Sequence, residues 1–263
     1  MHLEDALKHS IFIAKQAGTY LKDSFNIPHT IHSKSHINDL VTECDKQSEE
    51  MIKSYLKQKF PDFGFLCEES GTHQSSSPFT WIIDPLDGTV NFAKKIPFFA
   101  VNIALKKNDE ILCAVTYSPM TGELFSALKG QGAFLNEDKI AISSLNELSK
   151  AFGATGFPYR VHEQVAKSLT PIEKCLSMGM PLRRLGSAAL DLAYLACGRF
   201  DVFFEAYLEP WDYAPGYLFM QETGAIITDF QNNRLTFTKG SSVVAANQSL
   251  HSAMLNEVLC GIN

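Results

Sequence analysis

A chain of 263 residues with 45% apolar and 20% charged residues is long enough to enclose a substantial core and has an ordinary globular composition. Its formal charge of −6 lacks the basic excess that a nucleic-acid footprint or an anionic membrane surface would need. The start, Met1-His2-Leu3-Glu4-Asp5, has neither the basic nor the apolar region of a signal peptide, and no apolar run approaches the ~20 residues that span a bilayer. The expectation is a cytoplasmic protein without nucleic-acid or membrane partners. Six cysteines (Cys44, Cys67, Cys113, Cys175, Cys197, Cys260) show no CxxC pair or zinc-ligand spacing. They read as reduced core or near-core residues, with Cys67 singled out because it directly precedes Glu68.

In chain order, Leu3, Leu7, Ile11, Ala14, Gly18, Leu21 and Phe25 recur at helical spacing, and Pro28 bars extension of that helix. Residues 45–60 read as a second helix with Met51, Ile52, Tyr55 and Leu56 on its apolar face. Short apolar strands are expected at 63–67 and 81–83, separated by the serine-rich stretch 74–78, which reads as a mobile loop. Strands at 98–105, 111–117 and 123–127 follow, with hairpin turns at Asn108-Asp109 and Met120-Thr121-Gly122. The first half thus predicts two helices on a mainly antiparallel sheet.

The second half alternates. A strand at 151–155 precedes a helix at 161–178 that carries Pro171. Ser187 is placed to cap a helix running to about Cys197. A strand at 201–205, a helix at 212–222 ended by Gly224, strands at 225–228 and 243–246, and a helix at 250–259 complete the series. No linker or repeat divides the chain, so a single domain with two closely packed halves, about 1–145 and 146–263, is expected.

Three of these segments end in acid. The apolar run Trp81-Ile82-Ile83 delivers Asp84, then Pro85 turns the chain and Leu86-Asp87-Gly88-Thr89 follows. Phe63-Gly64-Phe65-Leu66-Cys67 delivers Glu68-Glu69-Ser70, and Glu209-Pro210-Trp211 delivers Asp212 at a helix start. Each alone reads equally well as a solvated turn or a helix cap. Together they supply clustered carboxylates, for which a bound divalent cation is the usual compensation. Carboxylates, the Leu86 carbonyl and the Thr89 hydroxyl are hard oxygen donors of the kind Mg²⁺ prefers, whereas the spacing does not fit an EF-hand. Trp81 and Trp211 are expected to pack in the core beside these acids.

The set Asp39-Leu40-Val41-Thr42-Glu43-Cys44-Asp45, Glu68-Glu69-Ser70, Trp81 to Thr89 with Val90-Asn91-Phe92, and Pro210-Trp211-Asp212 resembles the inositol monophosphatase family. That resemblance implies an α+β fold, layered α-β-α-β-α as in fructose-1,6-bisphosphatase. It also implies a Mg²⁺-dependent, lithium-sensitive phosphomonoesterase acting as a homodimer on a small-molecule phosphate monoester, with two to three ions per site. Carried onto this chain, the first ion falls to Glu68, Asp84 and the Leu86 carbonyl, and the second to Asp84, Asp87 and Asp212. A third, weaker ion falls near Glu68. Thr89 would orient the attacking water and Asp45 would accept the Thr89 hydroxyl proton, with Glu68 the third catalytic residue. Asp87, Gly88, Thr89, Gly186, Ser187, Ala188, Glu205 and Asp212 would contact the substrate. Glu205 is the position from which inositol-phosphate enzymes of the family meet a ring hydroxyl; read on its own it is equally a strand-end surface acid. Lys34 and Asp39 are placed to order a loop near the metals. Arg183 and Arg184 lie close enough in sequence to keep nucleotide, fructose 1,6-bisphosphate and NADP phosphatase readings open. Some bacterial relatives serve as partner proteins in transcription complexes, which makes a non-catalytic role the remaining alternative.

Overall fold

The computed structural model describes residues 3–28, 31–33, 40–158, 161–163 and 165–262; Lys34 and Asp39 lie outside them. Helix α1 (Leu3–Ser24) opens with Glu4 and Asp5 and closes with Lys22, charges that complement the helix dipole. It buries Ala6, Ser10, Ile13, Ala14, Ala17, Gly18 and Leu21, a stripe shifted from the expected one. Leu3, Leu7 and Ile11 lie at its margin. Small side chains let α1 approach closely: a Cβ at Gly18 would come within 2.5 Å of the Tyr117 ring. Strands β1 (Ile31–Ser33) and β2 (Leu40–Thr42) form an antiparallel ribbon. Helix α2 (Glu43–Lys59) starts two residues before the expected Asp45, because Thr42 caps it: Thr42 Oγ1 accepts from Cys44 N at 3.1 Å.

Then come β3 (Gly64–Cys67), β4 (Gly71–His73), β5 (Phe79–Asp87), the short α3 (Thr89–Ala93), β6 (Ala100–Lys107), β7 (Glu110–Ser118), β8 (Glu123–Leu128), β9 (Gly132–Leu135) and β10 (Asp138–Lys139). The sheet order is β10-β9-β8-β7-β6-β5-β3-β4, antiparallel except where β3 runs parallel to β5. Pro85 does not end β5 as the sequence suggested. The ladder to β6 resumes beyond it, pairing Asp84 with Asn102 and Asp87 with Ala100, so one extra residue bulges from β5. A bulge accommodates the missing proline N–H and redirects side chains beside a site.

The rest of the chain gives β11 (Gly153–Thr155), α4 (Val165–Ser177, preceded by a 3₁₀ turn at Val161–Glu163), β12 (Leu182–Arg183), α5 (Ala188–Ala196), β13 (Val202–Leu208), α6 (Pro210–Thr223), β14 (Ile226–Thr228), β15 (Ser241–Ala246) and α7 (Gln248–Ala253). The helix expected at 250–259 ends instead in a π-helical turn at Met254–Val258. The second sheet, β12-β11-β13-β15-β14, is parallel across β12-β11-β13 and antiparallel at β15.

Five layers result. Helices α1 and α2 cover one face of the first sheet, α5 and α6 fill the space between the sheets, and α4 and α7 cover the far face of the second. Strands with both faces covered need apolar residues at consecutive positions. Thus Trp81 and Ile83 join the α1/α2 core while Ile82 joins the middle one. Likewise Phe203 faces the middle core, and Val202 and Phe204 face α4 and α7. This is the α+β, α-β-α-β-α architecture that the resemblance implied. Cysteines 44, 67, 113 and 175 are buried and Cys197 is half-buried, but Cys260 is exposed, not near the core. Burial, followed by the charge of Glu49, pushes the Cys67 thiol up to about 12, which suppresses thiolate reactivity.

Candidate active site

The bulge in β5 brings Asp84 and Asp87 to one end of the first sheet, where the first turn of α6 contributes Asp212. One carboxylate oxygen from each of the three lies within 4.8 Å of the others. Asp212 is the third residue of α6, not its N-cap: its Oδ2 accepts the Glu209 N–H at 2.7 Å. Glu68 follows β3, tied to β5 by a 3.1 Å bond from its N–H to the Ile83 carbonyl, and its carboxyl group shares a hydrogen bond with Asp84.

Burial comes first in raising the Asp84 carboxyl well above its ordinary range, followed by the charges of Glu68, Asp87 and Asp212. Asp212 rises for the same reasons, burial first and then Asp87 and Glu68. Asp87 is pushed by burial to about 6, held there by opposing hydrogen bonds. It accepts from the Ser187 hydroxyl and from Ala189 N at 2.9 Å, at the start of α5. Such crowding of desolvated like charges is what a divalent cation relieves. The donor set also fits Mg²⁺, because the described residues around these carboxylates present oxygen and include no histidine or cysteine.

Thr89 stands beside this cluster. Its hydroxyl lies 2.9 Å from Asp45 Oδ1 and 3.0 Å from the Leu86 carbonyl, and its one hydrogen can serve only one acceptor at a time. Asp45 is fully buried. Its other oxygen accepts from Thr42 N at 2.8 Å and Thr42 Oγ1 at 2.6 Å. Gly88 precedes Thr89 with φ 93°, and a Cβ there would lie 3.1 Å from the Phe98 carbonyl, so only glycine suits both the backbone and the space.

The Thr89–Asp45 contact is the one the resemblance implied, but sequence reasoning missed the rest of the scaffold behind these residues. From α2, Asp45, Ser48 and Glu49 reach Thr89, the Pro85 carbonyl (2.9 Å) and Glu69 N (2.8 Å), so one helix edge holds both acidic loops. Asn102, opposite Asp84, accepts from the Thr116 hydroxyl at 2.5 Å and donates to the carbonyls of Trp211 (2.7 Å) and Asp212 (3.2 Å). The available signal was an asparagine inside an apolar strand, since a buried amide must have partners.

A cavity of about 650 Å³ opens from the cluster toward the second half of the chain. It is lined by Glu68, Asp84, Leu86, Asp87, Gly88, Thr89 and Asp212 at one end, with Gly186, Ser187 and Ala188 beside Asp87 and Gly88, and by Glu205 on the wall beyond. Asp45 stands behind Thr89, not on the wall. Trp211 lines the cavity half-buried, whereas Trp81 is buried in the α1/α2 core. Glu205 lies within β13, buried, so it is no surface acid; burial pushes it up to about 8, with Arg184 opposing. Asp191 and Arg184 also line this end, but Arg183 turns away onto the Phe152 ring, 4.8 Å from its centroid.

The architecture and sequence match known proteins over nearly their full lengths. The chain is 40% identical over 244 residues to a Salmonella typhimurium protein named Nus factor SuhB, covering 92% of this chain and 91% of that one. It is 41% identical over 232 residues to an inositol-1-monophosphatase of Caulobacter vibrioides, covering 86% and 90%. Among solved structures, the extragenic suppressor protein suhB of Bartonella henselae superposes with a TM-score of 0.91 at 35% identity, covering 98% of this chain and 100% of that one. An inositol monophosphatase from Anabaena (Nostoc) superposes at 0.88 with 32% identity, covering 98% and 97%. With the sequence model of the inositol monophosphatase family matching residues 2–262, the chain belongs to that family.

Proposed function

We propose that the protein is a Mg²⁺-dependent phosphomonoesterase whose substrate is inositol 1-phosphate. The observation that carries this reading is the convergence of Asp84, Asp87 and Asp212 within 4.8 Å on the wall of a cavity of about 650 Å³. Glu68, Asp84 and the Leu86 carbonyl would hold one Mg²⁺, Asp84, Asp87 and Asp212 a second, and by the family resemblance a third, weaker ion would sit near Glu68. When bound, Mg²⁺ neutralises phosphate charge and lowers the pKa of a coordinated water. The protein's own part is positional. Thr89 orients the attacking water through its hydroxyl oxygen, and Asp45, 2.9 Å away, accepts the hydroxyl proton and fixes its direction. The bulged β5 and the amides at Gly88 and Thr89 frame the phosphate, while Gly186, Ser187, Ala188 and Glu205 meet the alcohol. Lithium inhibition and a homodimer belong to the same reading through the family resemblance, and a cytoplasmic location through the reduced cysteines.

A phosphate-release screen over inositol 1-phosphate, fructose 1,6-bisphosphate, 3′-phosphoadenosine 5′-phosphate and NADP tests it. Fastest release from inositol 1-phosphate, abolished by chelator, is the expected result; release undiminished by chelator removes the metal from the reaction.

A second reading is favoured by the relatives named Nus factor SuhB: the chain would serve as a partner protein, the alternative that the resemblance left open. The two readings part at Asp84→Asn. A hydrolase loses its function with that carboxylate, and a partner protein keeps it.

A further inference from the structure

The cavity has a second acidic wall that the metal-binding carboxylates do not explain. Asp191, in the first turn of α5, is only 2% exposed, yet it lines the cavity and its Oδ1 has no hydrogen-bond partner. Buried polar atoms are nearly always paired, so a cavity-lining carboxyl group with one oxygen closed off and unpaired leaves a hydrogen-bonding need that a ligand in the cavity can meet. Glu205 of β13 lies close enough to act electrostatically on Asp191 and shares the same wall. A Cβ at residue 156 would lie 2.1 Å from Glu205 Oε2, so Gly156 leaves that carboxyl group its place in the cavity. Arg184 is the only basic residue among the described residues lining the cavity. It is exposed, with its guanidinium 5.9 Å from the Phe157 ring centroid, and gives this end one cation against two acids.

We propose that Asp191 is a specificity-determining residue: its carboxyl group turns to accept a hydroxyl of the substrate's alcohol portion, beside the hydroxyl met by Glu205. The inference rests on the phosphatase reading and narrows it. Two carboxyl groups on one wall offer paired acceptors to a polyhydroxylated alcohol and nothing to a phenol. A nucleotide phosphate gains only Arg184 here, so the wall favours phosphate esters of polyols over those of nucleosides.

The test compares wild type with Asp191→Leu, which keeps the branched skeleton and removes the acceptor, and with Asp191→Asn, which keeps one oxygen. The readout is the ratio of kcat/KM for inositol 1-phosphate to that for p-nitrophenyl phosphate. In Asp191→Leu the ratio falls about three- to tenfold, mainly through KM, as loss of one hydrogen bond predicts. Asp191→Asn recovers part of the loss. The melting temperature of Asp191→Leu equals or exceeds that of wild type, because an unpartnered buried carboxyl group is gone. A ratio within twofold of wild type overturns the assignment, as does a lower melting temperature with both substrates slowed alike. A calorimetric titration separates this inference from the phosphatase reading, using the phosphonate analogue of inositol 1-phosphate and inorganic phosphate. If wild type hydrolyses neither ester, the phosphatase reading falls and the titration decides alone. Tighter binding of the phosphonate than of phosphate, lost in Asp191→Leu, upholds the inference. No preference in wild type, or equal weakening of both ligands, overturns it.

Discussion

Asp84 is the residue on which the site turns, because it is buried against three other acids and stands opposite the amide that holds Asp212. Without metal, that crowding opposes folding. Asp84→Asn is therefore expected to melt at or above wild type in chelator, while Mg²⁺ raises the wild-type melting temperature and leaves the variant nearly unmoved. Thermal denaturation with and without Mg²⁺ checks this; equal Mg²⁺ stabilisation of both proteins would remove Asp84 from the metal site. Thr89 and Glu205 separate chemistry from selection. Thr89→Ala is expected to lower kcat on every substrate by a similar factor, about ten- to a hundredfold, since its hydroxyl is placed beside the attacking water. Glu205→Gln is expected to slow inositol 1-phosphate more than p-nitrophenyl phosphate. Steady-state kinetics on both esters decides, and equal slowing by Glu205→Gln would deny Glu205 a role in specificity.

At the scale of elements, the site is built by one bulged strand, one helix edge and one amide clamp. Asn102 joins β6 to the start of α6 through two carbonyls and takes the Thr116 hydroxyl in return. Asn102→Ala leaves all three groups buried without that partner, at an expected cost of about 1–3 kcal/mol in urea denaturation. Because the clamp sets where Asp212 stands, Mg²⁺ affinity measured by calorimetry should fall as well. Unchanged affinity in a folded variant would show that the clamp serves stability alone. The acidic motifs were legible because each follows an apolar run whose end is easy to place. The scaffold was not. Beyond Asp45, which the resemblance set on the Thr89 hydroxyl, Ser48 and Glu49 continue the same helical stripe, and a polar stripe on a helix ordinarily marks the face turned to water. Here that stripe is turned to the acidic loops, which only the sheet's register could reveal. Pro85 misled in the opposite sense, since a proline forbids a regular ladder but not a bulged one.

For the whole molecule, three apolar cores separated by two sheets explain why consecutive strand positions are apolar and why helix and strand segments could be found from the chain alone. The shifted stripe of α1 and the π-helical ending after α7 were not legible, because both depend on which surface the helix meets. The third core also holds a titratable group far from the chemistry. His251 of α7 is 3% exposed, lies 2.9 Å from the Thr228 hydroxyl, and is held by burial down to about 4. The unfolded chain takes up this proton near pH 6.5 and the folded one only near 4, so the unfolded state binds more protons between those values. Its contribution to stability is complete above about 6.5 and is lost as pH falls toward 4, at up to about 1.4 kcal/mol per pH unit. Denaturant unfolding at pH 7, 6 and 5 should show this slope in wild type and a flatter one in His251→Gln. Identical slopes would assign the acid sensitivity elsewhere.

The central claim is that the Asp84, Asp87 and Asp212 carboxylates hold the metal that hydrolysis requires. Phosphate release from inositol 1-phosphate, followed across a Mg²⁺ titration for wild type and Asp84→Asn at equal folded concentration, tests it most directly. Wild-type activity is predicted to rise from nothing to saturation with Mg²⁺, and the variant to stay several orders of magnitude below it at every concentration. A folded Asp84→Asn protein that turns over at a rate near wild type, or wild-type turnover without metal, would contradict the account.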